Sequence, residues 1–215
     1  MSKIDTVIFD LDGTLINSLE DLRVSVNYAL YGFKYPKQTL DMVRRNVGNG
    51  IEKLIERSLP DGKDNVNYEV CLEIFKEHYK THMSVNTKPY PHILETLVAL
   101  KTRGYKLAVV SNKFDVAVKP LCQKYFKNLI DVAIGQSKDT KKKPAPDTVY
   151  IALDELGSTS ETSIYVGDSE VDIQTAKNSG MDCISVSWGF KTKEFLKQNG
   201  ASIIIDTPLE IFNYI

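Results

Sequence analysis

The side chains able to do chemistry in this 215-residue chain are concentrated in four short segments. Asp10 and Asp12 stand in Asp10-Leu11-Asp12-Gly13-Thr14, directly after the apolar run Val7-Ile8-Phe9. Ser111-Asn112-Lys113 follows a second apolar run, Leu107 to Val110. Lys143 opens Lys143-Pro144-Ala145-Pro146. Asp168 and Asp172 stand in Gly167-Asp168-Ser169-Glu170-Val171-Asp172, after Ile164-Tyr165-Val166. Three of the four sets lie where a buried strand would stop. Carboxylates gathered in one crevice repel one another unless a cation lies among them. The pattern therefore implies a bound metal and an anionic substrate.

Each segment has its own chemistry and its own plainer alternative. Asp10 and Asp12 are two positions apart at a strand end, so strand alternation lets both face one crevice. Such a pair suits a nucleophile and a general acid/base. Gly13 permits a sharp turn and close approach of backbone N–H groups to an anion. The alternative is an ordinary Asp-Gly turn or helix cap. Asp168 and Asp172, four apart, share a helical face if the helix begins early, and hard carboxylate oxygens favour Mg²⁺. Alternatively, Asp168 is a helix N-cap. Ser111 and Asn112 offer a hydroxyl and further donors, or simply mark a turn. Lys143 ends a basic run with Lys141 and Lys142 that could be solvated surface. The Pro-Ala-Pro after it fixes the backbone at a helix entrance, where a lysine could serve as a point charge on phosphate.

The elements that must position these groups alternate through the C-terminal half. Strands are predicted at Lys106 to Ser111, Val132 to Gly135, Ser163 to Val166, Cys183 to Ser187 and Ser202 to Ile205. Helices are predicted at Asp115 to Tyr125, Pro146 to Leu156 and Glu170 to Ser179, the last closed by Gly180. Near-continuous apolar strands interleaved with helices indicate an α/β fold with an open, doubly wound parallel sheet. Ligands of such sheets bind beyond the carboxyl ends of the strands, where the acids lie. Between Asp10 and Lys106 no convincing strand is visible, and the interval far exceeds a crossover helix. Helical patterns fill it at Leu19 to Leu30, Thr39 to Asn46, Ile51 to Leu59 and Tyr68 to Met83. Residues 16–83 are therefore expected to form an inserted all-helical cap, with 1–15 and 84–215 as the α/β core and Pro89 and Pro91 at the re-entry. A lid that excludes water is its natural role.

Bulk properties exclude several classes. The hydrophobic share of 42% allows a real core. A net charge of −1 gives no general attraction for nucleic acid or an anionic membrane. No apolar run reaches membrane-spanning length, and the N-terminal run is too short for a signal sequence. Cys71, Cys122 and Cys183 lack any paired spacing and read as buried free thiols of a reducing compartment. The expectation is a soluble cytoplasmic protein. His78 and His82 have a metal-compatible spacing but no further zinc ligands. The glycine patterns of nucleotide and dinucleotide loops are missing.

Taken together, the four segments resemble the haloacid dehalogenase-like hydrolase superfamily, in its motif order and over nearly the whole chain. Within it, the chain is most similar to the phosphoglycolate phosphatase group, through Val47-Gly48-Asn49-Gly50, the Gly167 to Asp172 stretch and Trp188-Gly189-Phe190. It departs at Asn17, where many relatives carry Asp, at the hinge into the cap. The resemblance implies that Asp10 attacks phosphorus and forms an aspartyl-phosphate, with Asp12 as acid and then base. It implies Mg²⁺ on the Asp10 carboxylate, the Asp12 backbone carbonyl and Asp168, with Asp172 in support. Gly13, Thr14, Ser111, Asn112 and Lys143 would surround the phosphate. Asn49 and Gly50 begin a cap helix whose amides could contact a small phosphorylated metabolite. A phosphotransferase resembling β-phosphoglucomutase and a non-catalytic scaffold of the same fold are the competing expectations.

Overall fold

The computed structural model describes residues 3–215. Met1 and Ser2, with which the expected core and the reading of the N-terminus began, lie outside the described residues. The chain separates into two compact units: the residues up to Ile16 together with Pro89–Ile215, and Asn17–Lys88.

The first unit is built on a six-stranded sheet. Its strands are β1 (Thr6–Phe9), β4 (Lys106–Phe114), β5 (Val132–Gln136), β6 (Ser163–Gly167), β7 (Asp182–Val186) and β8 (Ile203–Ile205). Their spatial order is β5-β4-β1-β6-β7-β8, and every pairing is parallel. The chain runs outward from β1 through β4 to β5, then returns to the other side of β1 for β6, β7 and β8. That reversal creates a crevice at the carboxyl ends of β4, β1 and β6. The strands are apolar because they are covered: Val7, Ile8, Leu107, Ala108, Val109, Val110 and Tyr165 are all fully buried. Ile8, Val110 and Tyr165 share one core layer with Val149, Ala152 and Leu153 of helix α7 (Asp147–Leu156).

Register sets the site. Phe9 pairs with Val109 on one side and Val166 on the other. Asp10 then follows Phe9 at once, while Ser111 and Asp168 lie two residues beyond the partners. All three emerge at one level of the sheet. β4 does not stop at Ser111 as expected. It runs on to Phe114, but its register with β5 shifts between Val110 and Phe114, so four residues of β4 span two of β5. This bulge releases Ser111-Asn112-Lys113 from the ladder, the usual device for re-aiming side chains beside a site.

Two helices of this unit lie outside the sequence expectations. Helix α5 (Ile93–Thr102) buries Ile93, Leu97 and Leu100 but exposes Leu94 and Val98, which blurs its apolar stripe. Helix α9 (Lys193–Gln198) is only six residues long and is started by Thr192, whose hydroxyl accepts the Phe195 N–H. Helices α6 (Asp115–Phe126) and α8 (Glu170–Asn178) fall where periodicity placed them.

The second unit holds helices α1 (Leu19–Tyr31), α2 (Leu40–Asn46), α3 (Ile51–Ser58) and α4 (Tyr68–His82). Their apolar stripes meet in a core that includes Val26, Leu30, Val43, Ile55, Cys71 and Phe75. Two short strands, β2 (Ile16–Asn17) and β3 (Lys88–Pro89), pair where no strand was expected. Two residues carry no detectable alternation. Asn17 keeps a useful acceptor at the departure from the family pattern: its Oδ1 takes the Leu19 N–H at 3.2 Å. Among the described residues, no helix is long and apolar enough to cross a membrane.

Asp21, fully buried on α1, fixes the end of this unit. Its carboxylate accepts the Asn86 N–H and side-chain amide at 2.9 Å, the Thr87 N–H at 2.9 Å and the Thr87 hydroxyl at 2.7 Å. Burial opposes the charge, but these donors prevail and hold its pKa below the ordinary carboxylate value. A lowered native pKa gives stability that is complete above the unfolded value near 4 and lost as pH falls below it. Asp21→Ala should therefore cost about 2 kcal/mol or more in urea unfolding at neutral pH, because it strands buried donors. The difference from wild type should shrink as pH falls towards 3.

Candidate active site

The site is assembled from four loops at the carboxyl edge of the sheet in the first unit. At its centre is the Lys143 ammonium, whose side chain is only 3% exposed. It donates to Asp10 Oδ1 at 2.7 Å, Asp172 Oδ1 at 2.8 Å, the Tyr165 hydroxyl at 2.9 Å and the Val110 carbonyl at 3.2 Å. Lys143 is therefore not a surface residue of its basic run. Its backbone is held by Asn112, whose Oδ1 accepts the Lys143 N–H at 2.8 Å and whose Nδ2 donates to the Lys143 carbonyl at 3.1 Å. The side chain of Asn112, expected at the phosphate, thus serves to place the lysine.

Asp168 and Asp172 reach the same point from the start of α8. The cap is not Asp168. Ser169 takes that position, and its N–H and hydroxyl both donate to Asp172 Oδ2, at 3.1 and 2.6 Å. With Lys143 on its other oxygen, Asp172 is satisfied by protein donors, in keeping with a supporting part. Asp168 is 2% exposed, and its Oδ2 accepts the Phe190 N–H at 2.6 Å. One carboxylate oxygen from each of Asp10, Asp168 and Asp172 lies within 4.8 Å of the others.

The first loop differs in detail from expectation. β1 ends at Phe9, so strand alternation does not orient Asp12; a turn does, with Leu11 accepting the N–H groups of Leu15 and Ile16. Asp12 is partly exposed and pairs with Lys113, whose Nζ is 3.2 Å from Oδ1 and 3.3 Å from Oδ2. The Gly13 N–H is bound to the Ile16 carbonyl at 2.9 Å. It is thus engaged by the turn that was expected to free it for an anion. Gly13 is required for another reason: its φ is +95°, and a Cβ there would stand 2.3 Å from Asp168 Oδ2. Thr14, also expected at phosphate, is fully buried and lines a small internal cavity with Phe9, Leu15, Leu97 and Ile211. Its hydroxyl lies in apolar surroundings because the turn carries it inward. Ser111 is 4% exposed at the bulge, and its hydroxyl accepts the Lys113 N–H at 3.2 Å.

Electrostatics follow from this crowding. Burial pushes the Asp10 carboxyl up to about 7; Lys143 opposes the rise, and Asp172 adds to it. Asp168 is held well above the ordinary carboxylate range by burial and then by Asp172 and Asp10. Burial disfavours the Lys143 charge, yet Asp10 and Asp172 outweigh it and keep the ammonium protonated far above its usual range. Three ionised carboxylates around one ammonium leave two negative charges uncompensated. Like charges at this spacing repel by on the order of 3 kcal/mol per pair at an effective dielectric near 20. A divalent cation matches both that deficit and the hard oxygen donors.

The sequence reading gave no part to Tyr165, Lys113 or the Phe190 amide. Tyr165 reads as one more apolar strand residue, although it stands two positions before Gly167. Lys113 adjoins the Ser-Asn pair, but its reach to Asp12 depends on the bulge. A backbone amide has no sequence signal. In the second unit, Asn49 Oδ1 accepts Arg57 Nη2 at 2.7 Å, and Gly50, at φ +89°, precedes α3. Lys53 pairs with Glu56 at 2.8 Å, and Arg44 with Asp41 at 3.7 Å. Cys71, Cys122 and Cys183 are free thiols; burial pushes Cys122 up to about 12 and so removes it as a nucleophile.

An open α/β sheet with acids, an ammonium and a hydroxyl at its switch point defines a class of hydrolytic enzymes that work by charge stabilisation. Residues 7–186 match the haloacid dehalogenase-like hydrolase family, and the chain belongs to it. It is 36% identical over 185 residues to a phosphoglycolate phosphatase of Aquifex aeolicus, covering 86% of this chain and 85% of that one. It is 31% identical to the phosphoglycolate phosphatase of Colwellia psychrerythraea, over 96% of this chain and 95% of that one. A crystal structure from Lactobacillus delbrueckii subsp. bulgaricus, provisionally designated a phosphoglycolate phosphatase, superposes with a TM-score of 0.93 at 34% identity over 97% of both chains.

The raised pKa values carry a definite sign. Between the unfolded carboxylate value near 4 and the native value of about 7 for Asp10, the folded state binds more protons than the unfolded one. Stability of chelator-treated protein should therefore fall as pH rises through this interval. Added Mg²⁺ should raise the melting temperature more at pH 8 than at pH 5. Equal Mg²⁺ shifts at both pH values, measured by calorimetry, would contradict the charge deficit.

Proposed function

We propose that this chain is a Mg²⁺-dependent phosphatase of small phosphate monoesters, with 2-phosphoglycolate as its substrate. The convergence of the Asp10, Asp168 and Asp172 carboxylates within 4.8 Å of one another, two of them bound to the buried Lys143 ammonium, carries the reading. The names of the Aquifex and Colwellia relatives support the choice of substrate.

Asp10 and Asp168 are the carboxylates that would hold the cation, with the Asp12 carbonyl, and Asp172 would support them. When bound, the cation draws charge from the phosphoryl oxygens and neutralises the acids, so that Asp10 is ionised at neutral pH. Asp10 is oriented for attack because Lys143 holds Oδ1, which leaves Oδ2 as the attacking oxygen. Attack on phosphorus forms the Asp10–phosphate bond as the bond to the leaving alcohol oxygen breaks. Asp12 delivers the proton to that oxygen. Asp12, now a carboxylate beside Lys113, then takes a proton from water. The resulting hydroxide attacks phosphorus, breaks the Asp10–phosphate bond and releases inorganic phosphate. Ser111 and Lys143 face the developing charge on the transferred group. The Asn17–Lys88 unit is read as the cap that excludes water during this sequence and supplies specificity through Asn49 and Gly50. A cytoplasmic setting fits the free thiols.

Asp10→Asn should abolish phosphate release, since a carboxamide is a poor nucleophile, while leaving thermal stability within a few degrees of wild type. Lys143→Ala should lower kcat/KM by roughly three orders of magnitude or more. The assay is phosphate release across a panel of phosphorylated metabolites with and without Mg²⁺. Preference for 2-phosphoglycolate supports the reading. Isomerised sugar phosphate without free phosphate would support a mutase instead. No turnover of any substrate by folded protein would leave the scaffold.

A further inference from the structure

Trp188-Gly189-Phe190, the segment after β7, has no part in the chemistry above, yet each of its residues touches the framework of the site. Trp188 Nε1 donates to the Thr14 carbonyl at 3.0 Å. The Phe190 N–H donates to Asp168 Oδ2 at 2.6 Å. Gly189 lies between them with no room for a side chain. A Cβ there would stand 2.3 Å from Asp168 Cβ, 2.5 Å from Asp168 Oδ2 and 2.6 Å from the Gly13 carbonyl. A Cβ at Gly13 would stand 2.3 Å from the same Oδ2. The segment thus joins the loop that carries Asp10 and Asp12 to the residue that begins the α8 loop.

We infer that Trp188-Gly189-Phe190 is a positioning element for the divalent cation, an inference that rests on reading the acidic cluster as a cation site. The Phe190 amide takes one oxygen of Asp168 and leaves the other for the cation, so Asp168 acts as a one-oxygen ligand. That suits a small octahedral ion, which tolerates little angular error. The Trp188 indole holds the first loop at its carbonyl and so fixes the distance between the nucleophile loop and Asp168. A carboxylate already held in its binding rotamer loses little freedom when the cation arrives, and partners behind metal ligands influence affinity for that reason. The glycine between the two anchors is what lets both reach.

The test is calorimetric titration of Mg²⁺ into substrate-free protein, for wild type, Trp188→Phe, Gly189→Ala and Asp168→Asn. Trp188 is the sole tryptophan of the chain, so its emission reports directly from this segment. Trp188→Phe keeps the ring but loses the N–H donor; it should weaken Mg²⁺ binding about fivefold or more, and Gly189→Ala by more still. Melting in chelator should change little for Trp188→Phe, which separates positioning from simple support of the fold. In wild type, tryptophan emission should shift with the calorimetric Kd. Folded variants that bind within about twofold of wild type would overturn the inference. If Trp188→Phe or Gly189→Ala does not fold, unchanged wild-type emission at saturating Mg²⁺ would overturn it instead. Wild type that binds no Mg²⁺ would remove the cation reading itself, whereas loss confined to Asp168→Asn would spare that reading and sink only this one.

Discussion

The Lys143 ammonium buried between Asp10 and Asp172 is the contact on which the rest of the site depends. A lone buried lysine would give up its proton, and three buried carboxylates would refuse their charges. Held together, each makes the other tolerable. Lys143 draws on four acceptors from four segments: Asp10 after β1, Val110 on β4, Tyr165 on β6 and Asp172 on α8. It therefore ties the middle strands of the sheet to the first turn of the helix that bears the acids. Removing the ammonium from such a cluster would leave only unmatched buried carboxylates, which is far more costly than losing a surface pair.

The ammonium is nevertheless insufficient. It compensates one carboxylate in three, and the pKa values of Asp10 and Asp168 remain displaced upwards. This residual deficit has a functional meaning. A cluster fully neutralised by protein groups would have no use for a cation and little field for a phosphoryl group. A cluster left short of two positive charges becomes fully ionised at neutral pH only when a divalent ion arrives. Affinity for the ion and readiness of the nucleophile then have one electrostatic origin.

Much of this was legible in the chain, and the legible part has a clear physical basis. Buried parallel strands are apolar along their whole length, so β1, β4 and β6 stood out, and the acids were visible where the apolar runs ended. Asp10, Asp168 and Asp172 were picked out in this way, and Lys143 by the Pro-Ala-Pro that follows it; the three acids cluster, with Lys143 bound to Asp10 and Asp172. What failed to show depended on geometry finer than periodicity. The bulge in β4 carries Lys113 to Asp12 and turns Asn112 towards the Lys143 backbone. The tight turn after Asp10 occupies the Gly13 amide and sends Thr14 inward. Each of these is a matter of backbone hydrogen bonding that residue type does not specify. The short strands β2 and β3 and the short helix α9 were missed because two to six residues give too few repeats of any period.

The site is also shaped by side chains that are missing. Gly13, Gly167 and Gly189 each present bare backbone to an acid, and a methyl at any of them would fall 2.3 Å from an atom of Asp168 or Asp172. Bare backbone therefore packs directly against Asp168 and Asp172 and restricts their movement on the sides these glycines face. Steric confinement thus keeps the electrostatic tension from dissipating. A looser cavity would let the acids separate or admit water, and their repulsion would then fade with distance and dielectric. The glycines and the lysine are two halves of one device: close packing holds the negative charges together, and a single ammonium offsets enough of their repulsion for the fold to form around them.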